Sequence, residues 1–177
     1  MRFNEEEVRP MGRVSTGVKG IGLREEDEVV DMVVVSDPDS QLMTICENGY
    51  GKRTNQDEYP RKHRGGVGVI DIKTTDRNGP VVACKEVVGD DEVMIVTQDG
   101  VLIRTEVGGI STVGRNTQGV RVINLGEGDR VIDMTQVPKD KGEPEADEPG
   151  AEDGQMADEG TLEESADSAQ APPEESE

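Results

Sequence analysis

The chain has 177 residues and a formal net charge of −20, with one Phe, two Tyr and no Trp, so any core must be built from Val, Ile, Leu and Met. The charge is unevenly spread: residues 1–141 hold 25 acids and all 19 bases, and residues 142–177 hold 14 acids and no base. No apolar run approaches the ~18 residues of a membrane-spanning helix, no CxxC is present, and one histidine gives neither a metal-ligand set nor a nucleophile triad.

From the N-terminus, Met1-Arg2-Phe3 runs almost directly into a basic loop around Arg13, as though the chain began inside a structural unit. Strand character then dominates from Val18 to Val137. Val29–Val35 is an apolar stretch broken only by Asp31. Gln41–Cys46 and Tyr50–Thr54 flank Glu47-Asn48-Gly49 and predict a hairpin whose Asn-Gly pair suits a type I′ turn. Val67–Lys73 and Val81–Val87 follow as strands. Val93–Thr97 and Val101–Thr105 predict a second hairpin around Gln98-Asp99-Gly100, and Val120–Leu125 and Val131–Val137 close the series. The β-branched content fits pleated, half-buried surfaces, and no segment pairs a 3.6-residue apolar period with helix caps. Cys46 and Cys84 sit in such apolar runs and read as reduced, buried small hydrophobes, with a disulfide between them left open. Beyond Lys141 only Met156 and Leu162 are large and apolar. That segment cannot offset its ordering entropy and is expected to be disordered, either solubilising the chain or competing for a basic surface.

A basic residue stands four positions before a Gly-Val-x-[Gly/Val]-Ile-x-[Leu/Ile] phrase three times. The copies are Arg13 before Gly17–Leu23, Lys62 before Gly66–Ile72 and Arg115 before Gly119–Leu125, at offsets of 49 and 53 residues. Other landmarks keep step. Gly49 and Gly100 are 51 apart, as are Arg53-Thr54 and Arg104-Thr105, and Asp31-Met32 recurs as Asp133-Met134 two periods on. About four strands per 50 residues is the arithmetic of a propeller-like blade, so the chain holds about two units and part of a third. The phrase glycines either supply a turn conformation or let the backbone approach phosphate. Gly17-x-x-Gly20-x-Gly22 lacks the Gly-Lys-Ser/Thr of a nucleotide loop. Repetition of Asp31 and Asp133 points to a structural role rather than a catalytic pair.

Several segments together resemble the C-terminal domain of DNA gyrase A subunits: Val8-Arg9-Pro10-Met11-Gly12-Arg13, Glu47-Asn48-Gly49-Tyr50-Gly51-Lys52-Arg53-Thr54, Glu58-Tyr59-Pro60, and Ile110-Ser111-Thr112-Val113-Gly114-Arg115-Asn116-Thr117-Gln118-Gly119-Val120. The resemblance runs from about Met1 to Val137. It implies an all-β fold: a partial β-pinwheel over 1–141, built from blades of four antiparallel strands, followed by the acidic tail at 142–177. It also implies wrapping of double-stranded DNA around a basic rim, within a cytoplasmic, chromosome-associated A2B2 enzyme of gyrase A and gyrase B subunits. The Gln-Arg-Arg-Gly-Gly-Lys-Gly-like loop of the family's first blade is absent; Lys62–Gly68 is only a partial counterpart. The domain carrying the family's nucleophilic tyrosine is absent too. No cofactor is expected in this chain, the family's ATP and magnesium acting elsewhere in the holoenzyme.

Duplex phosphates favour regularly spaced Lys and Arg, which gain by releasing counterions and need no base readout. The candidate DNA-binding residues are therefore Arg13, Lys19, Lys52, Arg53, Arg61, Lys62, Arg64, Arg104, Arg115 and Arg121, densest around Lys52, Arg53, Arg61, Lys62 and Arg64. No catalytic or metal residue is expected. Two rival readings remain: the C-terminal domain of a topoisomerase IV A subunit, and a propeller-like protein-interaction scaffold.

Overall fold

A computed structural model describes residues 1–137, and all its ladders are antiparallel. The acidic tail and the boundary assigned beside it lie outside the described residues. Strands β1 (Gln41–Cys46) and β2 (Tyr50–Asn55) form the first hairpin, and β3 (Val81–Val87) pairs with the other edge of β1. One period later, β4 (Glu92–Thr97) and β5 (Leu102–Glu106) form the second hairpin. Strand β6 (Val120–Arg121) is short, and β7 (Val131–Val137) pairs with β4 as β3 does with β1. Single 3₁₀ turns at Glu5–Glu7, Gln56–Glu58 and Val107–Gly109 keep the same spacing. No α-helix occurs among the described residues, so the all-β expectation holds.

The sheet orders are β3-β1-β2-β6 and β5-β4-β7. Strand β6 follows β5 in the chain yet pairs with β2, through Tyr50↔Arg121 and Gly51↔Val120. The third unit thus lends its phrase segment to the sheet before it. Two expected strands fall short. The expected strand Val120–Leu125 is reduced to two residues, and Val67–Lys73 makes only a bridge at Ile72, to Thr117.

The hairpins form where expected, but not with type I′ turns. Only Gly49 (φ 77°) and Gly100 (φ 83°) have positive φ; Asn48 and Asp99 do not. Gly49 N–H donates to the Cys46 carbonyl at 3.1 Å and Gly100 N–H to the Thr97 carbonyl at 3.0 Å. Each loop has three residues, a type I turn closed by a left-handed glycine, which restores the strand twist as a primed turn does.

One core joins both sheets: Met43, Ile45, Ala83, Val87, Val93, Ile95, Val107, Ile110, Ile123, Val131 and Met134. This cluster is aliphatic throughout, and the two tyrosines, Tyr50 and Tyr59, are buried outside it. Cys46 is buried, Cys84 half-buried, and both are free thiols. Burial pushes each thiol up to about 11. At pH 8 about one molecule in a thousand then carries either thiolate, so iodoacetamide should leave both cysteines unlabelled in native buffer and label both in urea, as mass spectrometry would read.

Val29–Val35 is not a strand. Val29, Met32 and Val34 are 61, 82 and 68% exposed. The segment sits one period before β3, and β3 is laddered by β1; no described strand occupies the place of β1 for it. Side chains anchor it instead. Asp31 accepts from the Cys84 N–H at 3.1 Å and pairs with Lys85 at 2.9 Å, and Glu86 accepts from Ser36 and Asp37.

Candidate nucleic-acid interface

The contacts between units repeat at a constant 51 residues. Glu7 Oε2 accepts from the Arg64 N–H at 3.1 Å, and Glu58 Oε2 from the Arg115 N–H at 3.0 Å. Arg64 Nη1 donates to the Lys19 carbonyl at 3.1 Å, and Arg115 Nη1 to the Ile70 carbonyl at 2.9 Å. Gly65 N–H meets the Gly20 carbonyl as Asn116 N–H meets that of Asp71, at 2.7 and 2.9 Å. The true series is therefore Arg13, Arg64 and Arg115, followed by Gly17, Gly68 and Gly119, whose φ values are 81°, 89° and 74°. The sequence match places Lys62 and Gly66 in the middle copy because Gly66-Val67 and Gly68-Val69 offer the same dipeptide two residues apart.

All three glycines hold a left-handed φ, and at Gly119 close packing adds to it. A Cβ on Gly119 would stand 2.6 Å from the Gly51 carbonyl oxygen, across the β2–β6 pair. Gly119→Ala combines a left-handed alanine with that clash and should cost about 3 kcal/mol, the upper end for one strained residue; the urea unfolding midpoint would register it.

Several candidate cations prove to be structural. Lys52 is fully buried: its Nζ donates to the carbonyls of Asp71 at 2.7 Å and Gly114 at 3.0 Å and lies 3.5 Å from Asp71 Oδ1. Burial pulls its pKa below the ordinary value, with the Asp71 charge opposing. It cannot face a ligand, and its place in the DNA-binding set is withdrawn. Arg53 donates to the Ile110 and Gly108 carbonyls at 2.7 and 3.3 Å, as Arg2, one period earlier, donates to those of Gln56 and Tyr59. These arginines fasten each hairpin to a neighbouring segment, and burial lowers the Arg53 pKa. Arg104, third in that series, is ion-paired with Glu92. Arg64 and Arg115 are half-buried; Arg64 spends two guanidinium nitrogens on the Glu7 and Lys19 carbonyls, and Arg115 one on that of Ile70.

Arg13, Lys19, Arg61 and Lys62 are exposed, and no side-chain hydrogen bond or ion pair ties them to another described residue. The backbone brings three of them together. Gly65 and Arg64 bind the Gly20 and Lys19 carbonyls, and Lys62 N–H donates to the Arg2 carbonyl at 2.9 Å, so Lys19 lies beside the Arg61–Gly66 loop. Arg121, also exposed, donates to the Tyr50 hydroxyl at 2.8 Å. Lys73 and Arg77 are exposed cations that the repeat pattern misses, having no basic counterpart one period away. Arg2 has one, in Arg53, and is legible. Tyr59 donates its hydroxyl to Asp71, and burial together with that bond pushes its pKa upward.

The arrangement is a set of loops at a constant period: exposed cations without described side-chain partners stand on the first two, Arg13 and Lys19 on one and Arg61 and Lys62 on the next, while the third carries Arg115 and Arg121, each already bonded to a neighbouring group. A family model for the DNA gyrase C-terminal domain, described as a β-propeller, matches residues 1–36, 40–87 and 91–138. The chain belongs to that family. The three matched segments follow the three units, the first without its hairpin. Among curated relatives, the DNA gyrase A subunit of Salmonella typhimurium is 45% identical over 157 residues, covering 89% of this chain and 17% of the relative. That of Staphylococcus aureus is 46% identical over 149 residues, covering 84% of this chain and 17% of its own. The Escherichia coli protein is 48% identical over 137 residues, covering 77% and 16%. The chain thus spans about a sixth of the length of these relatives. A solved DNA gyrase A C-terminal domain matches with TM-score 0.70 and 32% identity, over 76% of this chain and 45% of that one. The C-terminal domain of a DNA topoisomerase IV matches with TM-score 0.71 and 25% identity, over 77% and 42%. The family therefore shares its fold across both enzymes, and the sequence relatives favour gyrase.

Proposed function

We propose that this chain is a DNA-wrapping segment of a gyrase A subunit. It binds the phosphates of double-stranded DNA along the loops that carry Arg13, Lys19, Arg61 and Lys62 and presents the bent duplex to the strand-passage machinery of the whole enzyme. The observation that carries the reading is the set of exposed cations free of described partners on the loops of the first two units, on a chain of the gyrase C-terminal family. Cations held at intervals on a rigid β scaffold select a curved backbone path without reading bases. Arg64, Arg115 and Arg121 add charge along the same loops while one or two of their nitrogens hold neighbouring groups.

In the assembled A2B2 enzyme with gyrase B, such wrapping fixes the sign of the DNA crossing, so that ATP-driven passage introduces negative supercoils. The chain supplies binding and geometry to that reaction in the bacterial cytoplasm. The test is a titration of the full chain with fluorescent duplexes of unrelated sequence across a salt series. The expected result is sequence-indifferent binding whose log affinity falls linearly with log salt. Flat, weak binding by folded protein would sink the reading and leave the interaction scaffold.

A further inference from the structure

We propose that Arg77 and Arg121, held against Tyr50, form a further phosphate clamp for the duplex, one that the next described unit does not repeat. This rests on the DNA-binding reading above. Arg77 lies in the loop before β3 and Arg121 in β6. Their guanidinium carbons stand 4.6 and 5.4 Å from the Tyr50 ring centroid. Arg121 also donates to the Tyr50 hydroxyl at 2.8 Å and to Asn124 Oδ1 at 3.2 Å, while Arg77 approaches Gln118 Oε1 at 3.5 Å. Every one of these partners is neutral. Lys52, Lys85, Arg104 and Arg130, by contrast, each sit in an ion pair with a carboxylate. Two like charges sharing one ring without a counterion repel each other, and an anion between them would relieve that repulsion.

Acidic groups stand near, but among the described residues none forms an ion pair with Arg77 or Arg121. Asp129 lines the shallow cavity beside Arg121, and its carboxylate accepts from the N–H groups of Asp99 and Arg130 at 3.1 and 2.8 Å. Asp76 precedes Arg77, and its carbonyl accepts from Asn48.

The pair is preorganised. Tyr50 is only 7% exposed and is fixed by the β2–β6 register. Asn78, fully buried, pins the Arg77 loop by donating to the Lys73 and Gln118 carbonyls at 3.0 and 3.2 Å and accepting from Thr75 N–H at 2.8 Å. A planar guanidinium already stacked on a ring loses little freedom on meeting phosphate. The site is not repeated: one period on, Tyr50 corresponds to Val101 and Arg77 to Gly128. A clamp present at one described unit and not at the next gives the wrapped duplex an anchored point among these loops.

The test uses the full chain and a duplex salt series on Arg77→Gln, Arg121→Gln and the double variant, with Arg77→Lys and an Arg13, Lys19 and Lys62 triple alanine variant beside them. Removing one phosphate-binding cation should lower the salt slope by about 0.9 and weaken binding about eightfold at 0.1 M salt. Arg77→Lys should keep the slope and lose part of the affinity, since ammonium retains charge but not stacking. Phenylglyoxal labelling of the unmutated chain, read by mass spectrometry, should slow at Arg77 and Arg121 when duplex is saturating. Glutamine variants with unchanged slope, or labelling that duplex does not slow, would overturn the clamp. If the triple variant still loses binding, the DNA reading survives that result. If the unmutated chain shows no salt-dependent binding, both fall together.

Discussion

Lys52→Ala should destabilise the folded chain by about 3–5 kcal/mol, the cost of leaving one partner of a buried pair uncompensated. Three acceptors depend on its amine: the Asp71 carbonyl at 2.7 Å, the Gly114 carbonyl at 3.0 Å and, at 3.5 Å, the Asp71 carboxylate. That carboxylate also accepts hydrogen bonds from Thr44 Oγ1 at 2.7 Å and from the Tyr59 hydroxyl. Removing the amine leaves two carbonyls without their donor and a part-exposed carboxylate without its neighbouring cation. A domain of ordinary stability holds only about 5–15 kcal/mol, so the loss is a large share. Lys52→Met restores most of the packing but none of the bonds. It should recover about 1–2 kcal/mol, the transfer share of the deleted stem. Urea unfolding decides the matter through the midpoint at constant slope. A loss below about 1 kcal/mol in both variants would mean that water replaces the amine.

The same residue marks where sequence reasoning stops. Lys52 sits in a basic cluster, and charge alone assigns it to DNA. The period holds the correcting signal: one period on, its place is taken by Ile103, which packs against the core. Alignment with a core-packed residue marks Lys52 as inward-facing. The hairpins β1–β2 and β4–β5 and the strands β3 and β7 are legible because local turn chemistry and β-branched runs specify them within a few residues. The exchange of β6 into the earlier sheet is not, because pairing partners 71 residues apart leave no local trace. Val29–Val35 fails for the converse reason: it has strand composition but no described strand to pair with. The slip of the middle phrase comes from a doubled Gly-Val, which one backbone observable, positive φ at Gly68, resolves.

For the interface, the sequence supplies the set and the structure divides it. The division makes the largest expected effect on binding a specific one. Substituting Arg13, Lys19, Arg61 and Lys62 together by Ala should reduce the salt slope of duplex binding by about 3–4 and the affinity at 0.1 M salt by about 10³-fold, at 0.9 per phosphate contact. All four side chains are exposed and free of described partners, so the thermal midpoint should stay within about 1 °C, surface substitutions of this kind lying within ~0.5 kcal/mol. Arg53→Ala should do the opposite. It strips two carbonyls of their donor, costs about 1–3 kcal/mol, and leaves the slope unchanged because its nitrogens already face protein. A slope that falls for Arg53→Ala and holds for the fourfold variant would place the duplex against the fastened arginines instead. The two sets lie on the same repeat, so charge count and spacing cannot separate them. Only the direction of each side chain can, and salt dependence measures that direction from the DNA side.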